Sequence, residues 1–397
     1  MTKYNLSQDR LDVINKTRSN LFDWRGQFTP ELIEYLLSVF AKSGDVVADP
    51  FSGSGTVLYE AIKMGCSTYG FEINPSAYYM SKFYEYCKYS IEERNSLIEE
   101  LRKILGREIR DTDPNLRVCD NSSDYRTAYS SLLNFSKHCY AVVPEKLLPF
   151  VINALFMCEK DKKLSLKESL VKNINLLKNL LLFMPTTEND IVVNWDDARN
   201  ISEKYSNNVD VIITSPPYIN VFNYHQNYRG IVECFDFNLL KVANSEIGSN
   251  RKNRQNRFKT VVQYAMDMGH VLQSYSISLK TGGTMIWIVG RCSNVRKVAF
   301  YNSTIITDLV NVIPGIELDG NCFRKFCNRF GEEIIEDILI IKKTSNTEFI
   351  SLKNTFEAIG ISHLKSALPK VAAEDKSDIE ILLNQGSVKE SPILAHI

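Results

Sequence analysis

Two short stretches combine residue types at a spacing that chemistry can use. The first, DPFSGSGT, supplies Asp49, Phe51, Gly53, Gly55 and Thr56 directly after an apolar run. Glycines let a backbone turn sharply and approach a ligand closely. The turn lacks the third glycine of the dinucleotide fingerprint and the Gly-Lys-Ser/Thr of a P-loop, and it holds no lysine to neutralise a phosphate. It therefore suits a nucleoside without phosphates. Glu72, at the end of the next apolar run, stands where an acid binds ribose hydroxyls. An ordinary strand-to-helix turn and a solvated surface glutamate are the plainer alternatives.

The second stretch, TSPPY, supplies Ser215, Pro216, Pro217 and Tyr218. Prolines fix the backbone and carry no N–H, so the carbonyls around them remain acceptors. Acceptors held rigidly can take both protons of an exocyclic amino group, while Tyr218 stacks on the base that carries it. The lone pair of such a nitrogen is delocalised into the ring and is a poor nucleophile. Hydrogen bonds from its protons localise the pair and aim it at an electrophilic methyl group. A Ser-Pro-Pro turn in a surface loop is the bland alternative. Tyr224 and His225 follow closely and are candidates to line a base pocket, although a lone loop histidine is as readily structural.

These residues need elements to position them. PELIEYLLSVFAK, residues 30–42, has helical apolar spacing, with Thr29 as N-cap and Pro30 at the first helical position. An apolar strand over 46–48, the glycine turn, a helix over 57–64 and a second strand ending in Glu72 then give strand, turn, helix, strand, acid. That is the first half of a nucleotide-binding α/β sheet. Residues 83–189 break the pattern with mostly helical periodicity and are expected to form a helical insertion. The α/β pattern resumes at NDIVVNWDDARN, with later strands over 284–289 and 336–343 and helices over 355–368 and 377–384. The expected organisation is 1–82 for the cofactor half, 83–189 for an insertion that could recognise the target, 190–345 for the catalytic half, and 346–397 for a C-terminal extension.

Composition bounds the partners. Lys+Arg and Asp+Glu both number 47 in 397 residues, so any basic surface is local. GSNRKNRQNRFK, residues 248–259, is the clearest such patch. Its Arg251, Lys252, Arg254, Arg257 and Lys259, with no acid among them, are the expected DNA-contacting residues; a solvated loop is the alternative. Nine cysteines without a Cys-x-x-Cys pair and five dispersed histidines suggest a reducing compartment and no metal site. No signal-peptide or membrane-spanning run is visible, which points to a soluble, cytoplasmic protein.

Taken together, DPFSGSGT, GFEIN and TSPPY resemble the S-adenosylmethionine-dependent methyltransferases that modify exocyclic amines of DNA bases. The likeness covers about residues 20–82 and 190–345. It is greater to the cytosine-N4 branch of restriction-modification enzymes, in which Ser-Pro-Pro-Tyr is typical; adenine-N6 members more often carry Asp or Asn before Pro-Pro. The resemblance implies a Rossmann-like class I methyltransferase sheet in the α/β class and S-adenosylmethionine as cofactor. It also implies a flipped base in duplex DNA as substrate, and a separate restriction endonuclease working alongside. WRGQFTPELIEYLL resembles the segment that closes over the methionine end of the cofactor, which makes Trp24, Phe28 and Thr29 cofactor-side candidates. WDDAR resembles the family's Gly-Asp-Ala segment and puts Asp197 near the adenine, with Asp196 in the glycine's place and so also a candidate. RFGEEIIEDIL is similar to the family's late hairpin.

Three rivals stand beside this reading. Adenine-N6 methylation differs only in the base. RNA guanine-amine methyltransferases share a related corner, usually Asp-Pro-Pro-Tyr, behind an RNA-binding domain, whereas about 45 residues precede the motif here. A non-catalytic nucleic-acid-binding protein with a methyltransferase-like fold would not need both motifs intact. Carbon methylation of cytosine requires a cysteine nucleophile, normally after proline, and no Pro-Cys dipeptide occurs.

Overall fold

The computed structural model describes residues 4–111, 125–161, 164–220, 224–249, 253, 255–328, 331–385 and 388–394. Short runs of β-branched and aromatic residues form the strands β1 (Val46–Asp49), β2 (Ser67–Phe71), β3 (Ile191–Asn194), β4 (Val209–Thr214) and β5 (Leu279–Gly290). A hairpin follows, β6 (Cys292–Val295) and β7 (Val298–Tyr301), and then β8 (Ile316–Cys327) and β9 (Glu333–Lys343). Seven of these make one sheet in the order β3-β2-β1-β4-β5-β9-β8. Strands β1 to β5 are parallel, and β9 runs antiparallel between β5 and β8. This is the Rossmann-like α/β sheet expected from the sequence. The chain winds from β1 to β2 and β3 on one side and returns to β4 and β5 on the other. The β1–β4 boundary is thus the switch point where such sheets bind ligands.

Strand alternation assigns the two faces. Val211, Ile213, Ile286 and Ile288 point towards helices Pro30–Phe40 and Thr56–Lys63. Ile212, Met285 and Trp287 point the other way, under helices Lys259–Ser278, Asn302–Val310 and Lys353–Ala367. Both faces are covered, which is why the strands read as continuous apolar runs. Gly282-Gly283, read from sequence as the turn before a strand over 284–289, lies inside β5, where the register with β4 shifts. A Cβ at Gly283 would sit 2.9 Å from the carbonyl oxygens of Asp210 and Lys280. The glycine thus permits an irregularity that a larger residue would block.

Between β2 and β3 the chain forms the helices Ile91–Asp111, Tyr125–Val142, Leu148–Lys160 and Leu166–Phe183. Their core, with Phe150, Leu155 and Leu177, is continuous with Phe22 and Trp24 from the N-terminal segment and Tyr228 and Ile231 from beyond β4. The fully buried guanidinium of Arg94 donates to the carbonyls of Tyr86, Leu181, Met184 and Pro185, fastening the ends of this helical layer together.

Candidate active site

A cavity of about 960 Å³, open mouth included, lies at the carboxyl end of β1 and β4. It is lined by Trp24, Phe28, Asp49, Phe51, Gly53, Thr56, Glu72, Asp197, Ser215 and Pro217. Residues from the two motifs, 150 positions or more apart in sequence, therefore share one cavity because β1 and β4 are neighbours.

The glycine turn forms its floor. Gly53 has φ +51°, and a Cβ there would lie 3.3 Å from the indole of Trp24. Gly55 has φ +84° and caps helix Thr56–Lys63. A Cβ at Gly55 would meet the ring of Tyr84 at 2.8 Å, so this glycine serves helix packing and lies outside the cavity lining. Glu72 ties the turn to β2: Gly53 N donates to its Oε2 at 3.0 Å and Asn74 N to its Oε1 at 2.8 Å. Burial pushes the Glu72 carboxyl up to about 7 against the pull of these two bonds, with Asp49 and Glu246 adding to the rise. Asp49 is also raised to about 7 by burial. Its Oδ1 takes bonds from Phe51 N at 3.1 Å and Thr214 Oγ1 at 2.7 Å, which makes Oδ2 the oxygen available to a ligand.

Residues 20–28 strap across this floor. Ser54 Oγ donates to Gln27 at 2.8 Å and Thr56 Oγ1 to Asn20 at 2.9 Å. Trp24 lies over Gly53 and stacks on Tyr224, with ring centroids 5.9 Å apart and planes 17° from parallel. Thr29 caps helix Pro30–Phe40 by position alone. Its hydroxyl oxygen is buried without a hydrogen-bond partner among the described residues, and it lies outside the lining.

Asp197 lines the cavity, but both its oxygens are engaged by Arg199, at 2.8 and 2.7 Å. Arg199 continues to the carbonyls of Ser391 and Pro392, so the C-terminal segment buttresses this wall. Asp196, also in the lining, accepts from Asp197 N and Asn200 and pairs with Lys204 at 2.9 Å. Those bonds hold its carboxyl below the usual range despite the burial that opposes them.

Ser215 and Pro217 face the cavity, and Pro216 is buried behind them. The Tyr218 ring packs against Gly290, where a Cβ would come within 2.8 Å of it, and is not among the cavity-lining residues. Tyr218 Oη donates to Glu336 Oε1 at 2.9 Å and lies 3.3 Å from Ser215 Oγ. Glu336 in turn accepts from Arg324 Nε at 2.7 Å across the β8–β9 pair. Burial, and then Glu336, keep the phenol protonated. The backbone after the corner is also pinned: Ile219 N donates to Asn302, and Asn220 N to the Gly248 carbonyl.

Several cavity residues carried no sequence signal. Glu246 is 6 % exposed and takes two bonds from His225, from N at 2.8 Å and at Nδ1 at 3.0 Å. His225 thus holds a neighbouring acid, while Tyr224 is the member of the pair that reaches the cavity. Asn74 Oδ1 caps the helix Pro75–Lys82, and its buried Nδ2, in the cavity wall, has no partner among the described residues. Nothing local distinguishes these residues, because β4 and the segment 245–247 meet only in the folded chain. Arg257 and Lys259 are half-buried at the start of helix Lys259–Ser278. Arg251, Lys252 and Arg254 lie outside the described residues. Among the described residues no cluster of His, Cys, Asp or Glu could hold a metal ion, and no helix is long and apolar enough to cross a membrane.

The sheet is Rossmann-like, and its cavity lies at the switch point where such sheets bind ligands. The comparisons with known proteins find similarity to DNA methylases of the N4/N6 type. Residues 8–83 match the N6/N4 methyltransferase family model, described as DNA methylase. The Type II methyltransferase M.MjaII of Methanocaldococcus jannaschii is 35% identical over 74 residues, 18% of this chain and 14% of that one. The Type II methyltransferase M.BsoBI of Geobacillus stearothermophilus is 24% identical over 264 residues, 54% of this chain and 52% of that one. The chain thus spans about half, or much less, of the length of these curated relatives. Among solved structures, a SAM-dependent methyltransferase of Methanosarcina mazei aligns with a TM-score of 0.35 and 9% identity, over 78% of this chain and 97% of that one. The resemblance read from the motifs is supported at the level of N4/N6 DNA methylases. S-adenosylmethionine is the cofactor that this resemblance implies. The residues present fit such a cofactor: Asp49 and Glu72 offer carboxyl acceptors, Asn74 Nδ2 is a buried donor without a partner among the described residues, and the turn holds no lysine.

Proposed function

We propose that this protein methylates the exocyclic N4 amine of cytosine in a specific sequence of duplex DNA, alongside a separate restriction endonuclease in a bacterial or archaeal cytoplasm. The observation that carries the reading is that Ser215 and Pro217 open onto the same cavity as Asp49, Gly53 and Glu72. When bound there, S-adenosylmethionine supplies an electrophilic methyl group. Trp24, Phe28, Asp49, Phe51, Gly53 and Glu72 bind and orient it, and Thr56 and Gly55 set the helix that supports the turn. A base in a duplex is out of reach, so the target is flipped out. Ser215 and the carbonyls around Pro216 and Pro217 accept the amine protons, and Tyr218, braced by Glu336 and Arg324, offers the stacking face. No strong general base is needed, because the proton can leave after the amine attacks and becomes cationic. Arg251, Lys252, Arg254, Arg257 and Lys259 contact phosphates.

Adenine-N6 methylation is the second reading, and Ser215 before Pro-Pro favours cytosine over it. The test is transfer of a labelled methyl group to duplex DNA, with the modified base identified by mass spectrometry. N4-methylcytosine is the expected product. N6-methyladenine would keep the corner chemistry and change the base. 5-Methylcytosine, or cofactor binding with no transfer to any DNA, would overturn the proposal.

A further inference from the structure

The β6–β7 hairpin belongs to no part of the site so far described, yet it is fastened to the catalytic corner. Asn220 Nδ2 donates to the Asn294 carbonyl at 2.8 Å. Asn302, directly after β7, takes the Ile219 N–H and donates to the carbonyl of Gly290 and to Ser293 Oγ. One face of the hairpin is core, through Val295, Val298 and Phe300. The other presents Asn294, Arg296, Lys297 and Tyr301 to solvent.

Its two-residue turn is Arg296-Lys297, with φ +49° and +64°. Positive φ at both positions is the type I′ geometry, for which Asn-Gly is the favoured pair. Arg and Lys bear a steric cost there that Asn-Gly would avoid, and a strained choice at an exposed tip points to function. The base of the hairpin packs beside the basic stretch. Phe300 contacts Phe258, which lies between Arg257 and Lys259 at the end of the basic stretch, with ring centroids 6.4 Å apart. Asn256 donates to the Asp378 carbonyl, and Arg296 pairs with the Asp375 carboxylate at 3.8 Å, a partly exposed ion pair that phosphate would compete for. The hairpin and the described end of the basic stretch therefore flank the same side of the corner.

We infer that the β6–β7 hairpin is a duplex-DNA clamp, with Arg296 and Lys297 seated on backbone phosphates beside the flipped base. The inference rests on the proposed DNA substrate. Its hydrogen bonds to Asn220 and Ile219 would set the distance between the gripped phosphates and Ser215-Pro216-Pro217-Tyr218. The contacts carry no base information, since phosphate contacts position and do not specify.

The turn geometry supplies the test. Arg296→Asn combined with Lys297→Gly removes both charges while installing the pair this turn favours, so the fold is not put at risk. Binding of a fluorescent duplex of random sequence is measured across a salt series for wild type and variant, with S-adenosylmethionine affinity measured on both. The expected result is weaker DNA binding and a log–log salt slope shallower by about 0.9 for each lost phosphate contact. The melting temperature should be unchanged or raised, and cofactor affinity unaltered. The charge-preserving exchange Arg296→Lys with Lys297→Arg should keep the wild-type slope. A wild type that binds duplex in a salt-dependent way, with an unchanged slope in the Asn-Gly variant, would overturn the clamp alone. A wild type without affinity for duplex would overturn the DNA reading and the clamp with it.

Discussion

Thr214 Oγ1 donates a 2.7 Å hydrogen bond to Asp49 Oδ1, joining the last residue of β4 to the last residue of β1. Both residues are buried, at 0 % and 2 % exposure, and they lie immediately before the Ser-Pro-Pro-Tyr corner and the glycine turn. One bond therefore sets the spacing between the proposed amine-binding acceptors and the proposed methyl-donor site. It also holds down the ionisation point of a carboxyl that burial drives up.

Thr214→Val keeps the shape of the side chain and removes that bond. A hydrogen bond to a charged group contributes about 1.5–3 kcal/mol, and the loss should appear as a lower midpoint in urea denaturation. Asp49 should ionise at higher pH in the variant. Turnover should fall more than cofactor affinity, because the damage is to the relative aim of two sites. Steady-state kinetics on folded protein, read as a KM-against-kcat split, checks this.

Cofactor affinity should depend on pH through Glu72. In the proposed complex ribose hydroxyls would donate to the ionised carboxylate, and its ionisation point is about 7 in the free protein. Binding should tighten as pH rises, by about tenfold per unit below 7, and level off above it. The sign for folding is opposite. A carboxyl raised in the folded state contributes stability that is fully present below its unfolded value of about 4.5 and is lost as pH rises through 7. Glu72→Gln should weaken binding and flatten both profiles between those limits. Calorimetric titration and melting across pH 5–8 would show it.

Tyr218→Ala should remove the stacking face and leave the cofactor floor intact. Base–aromatic stacking contributes roughly 1–3 kcal/mol, which corresponds to about tenfold or more in rate. Tyr218→Phe keeps the ring but leaves Glu336 without the phenol, so the ring is less firmly braced. Its turnover should lie between wild type and alanine. Equal methylation by wild type and Tyr218→Ala would end the stacking role.

Arg199→Met should destabilise the fold strongly. Asp197 and Asp267, at 2 % and 0 % exposure, would both lose their buried cation. Removing one partner of a buried ion pair costs about 3–5 kcal/mol. The carbonyls of Ser391 and Pro392 would be released as well, so the segment 388–394 should become sensitive to proteolysis before the sheet does.

What the sequence determined by itself was local. Apolar runs broken by DPFSGSGT and TSPPY were enough for the α/β class, because strand alternation, helix spacing and glycine or proline breaks are properties of neighbouring residues. The same locality explains the misjudged start of β5, where Gly282-Gly283 reads as a turn but serves as an irregularity between two paired strands. It also explains Gly55, which looks like a ligand glycine and packs on Tyr84 instead. Only the tertiary structure decided that Thr214 would meet Asp49, that Arg199 would occupy Asp197, and that Glu246 and Asn74 would stand in the cavity wall. Those contacts depend on which strands become neighbours at the switch point and on which segment crosses back over them. Such pairings arise from burying both faces of the sheet at once, and no spacing along the chain records them.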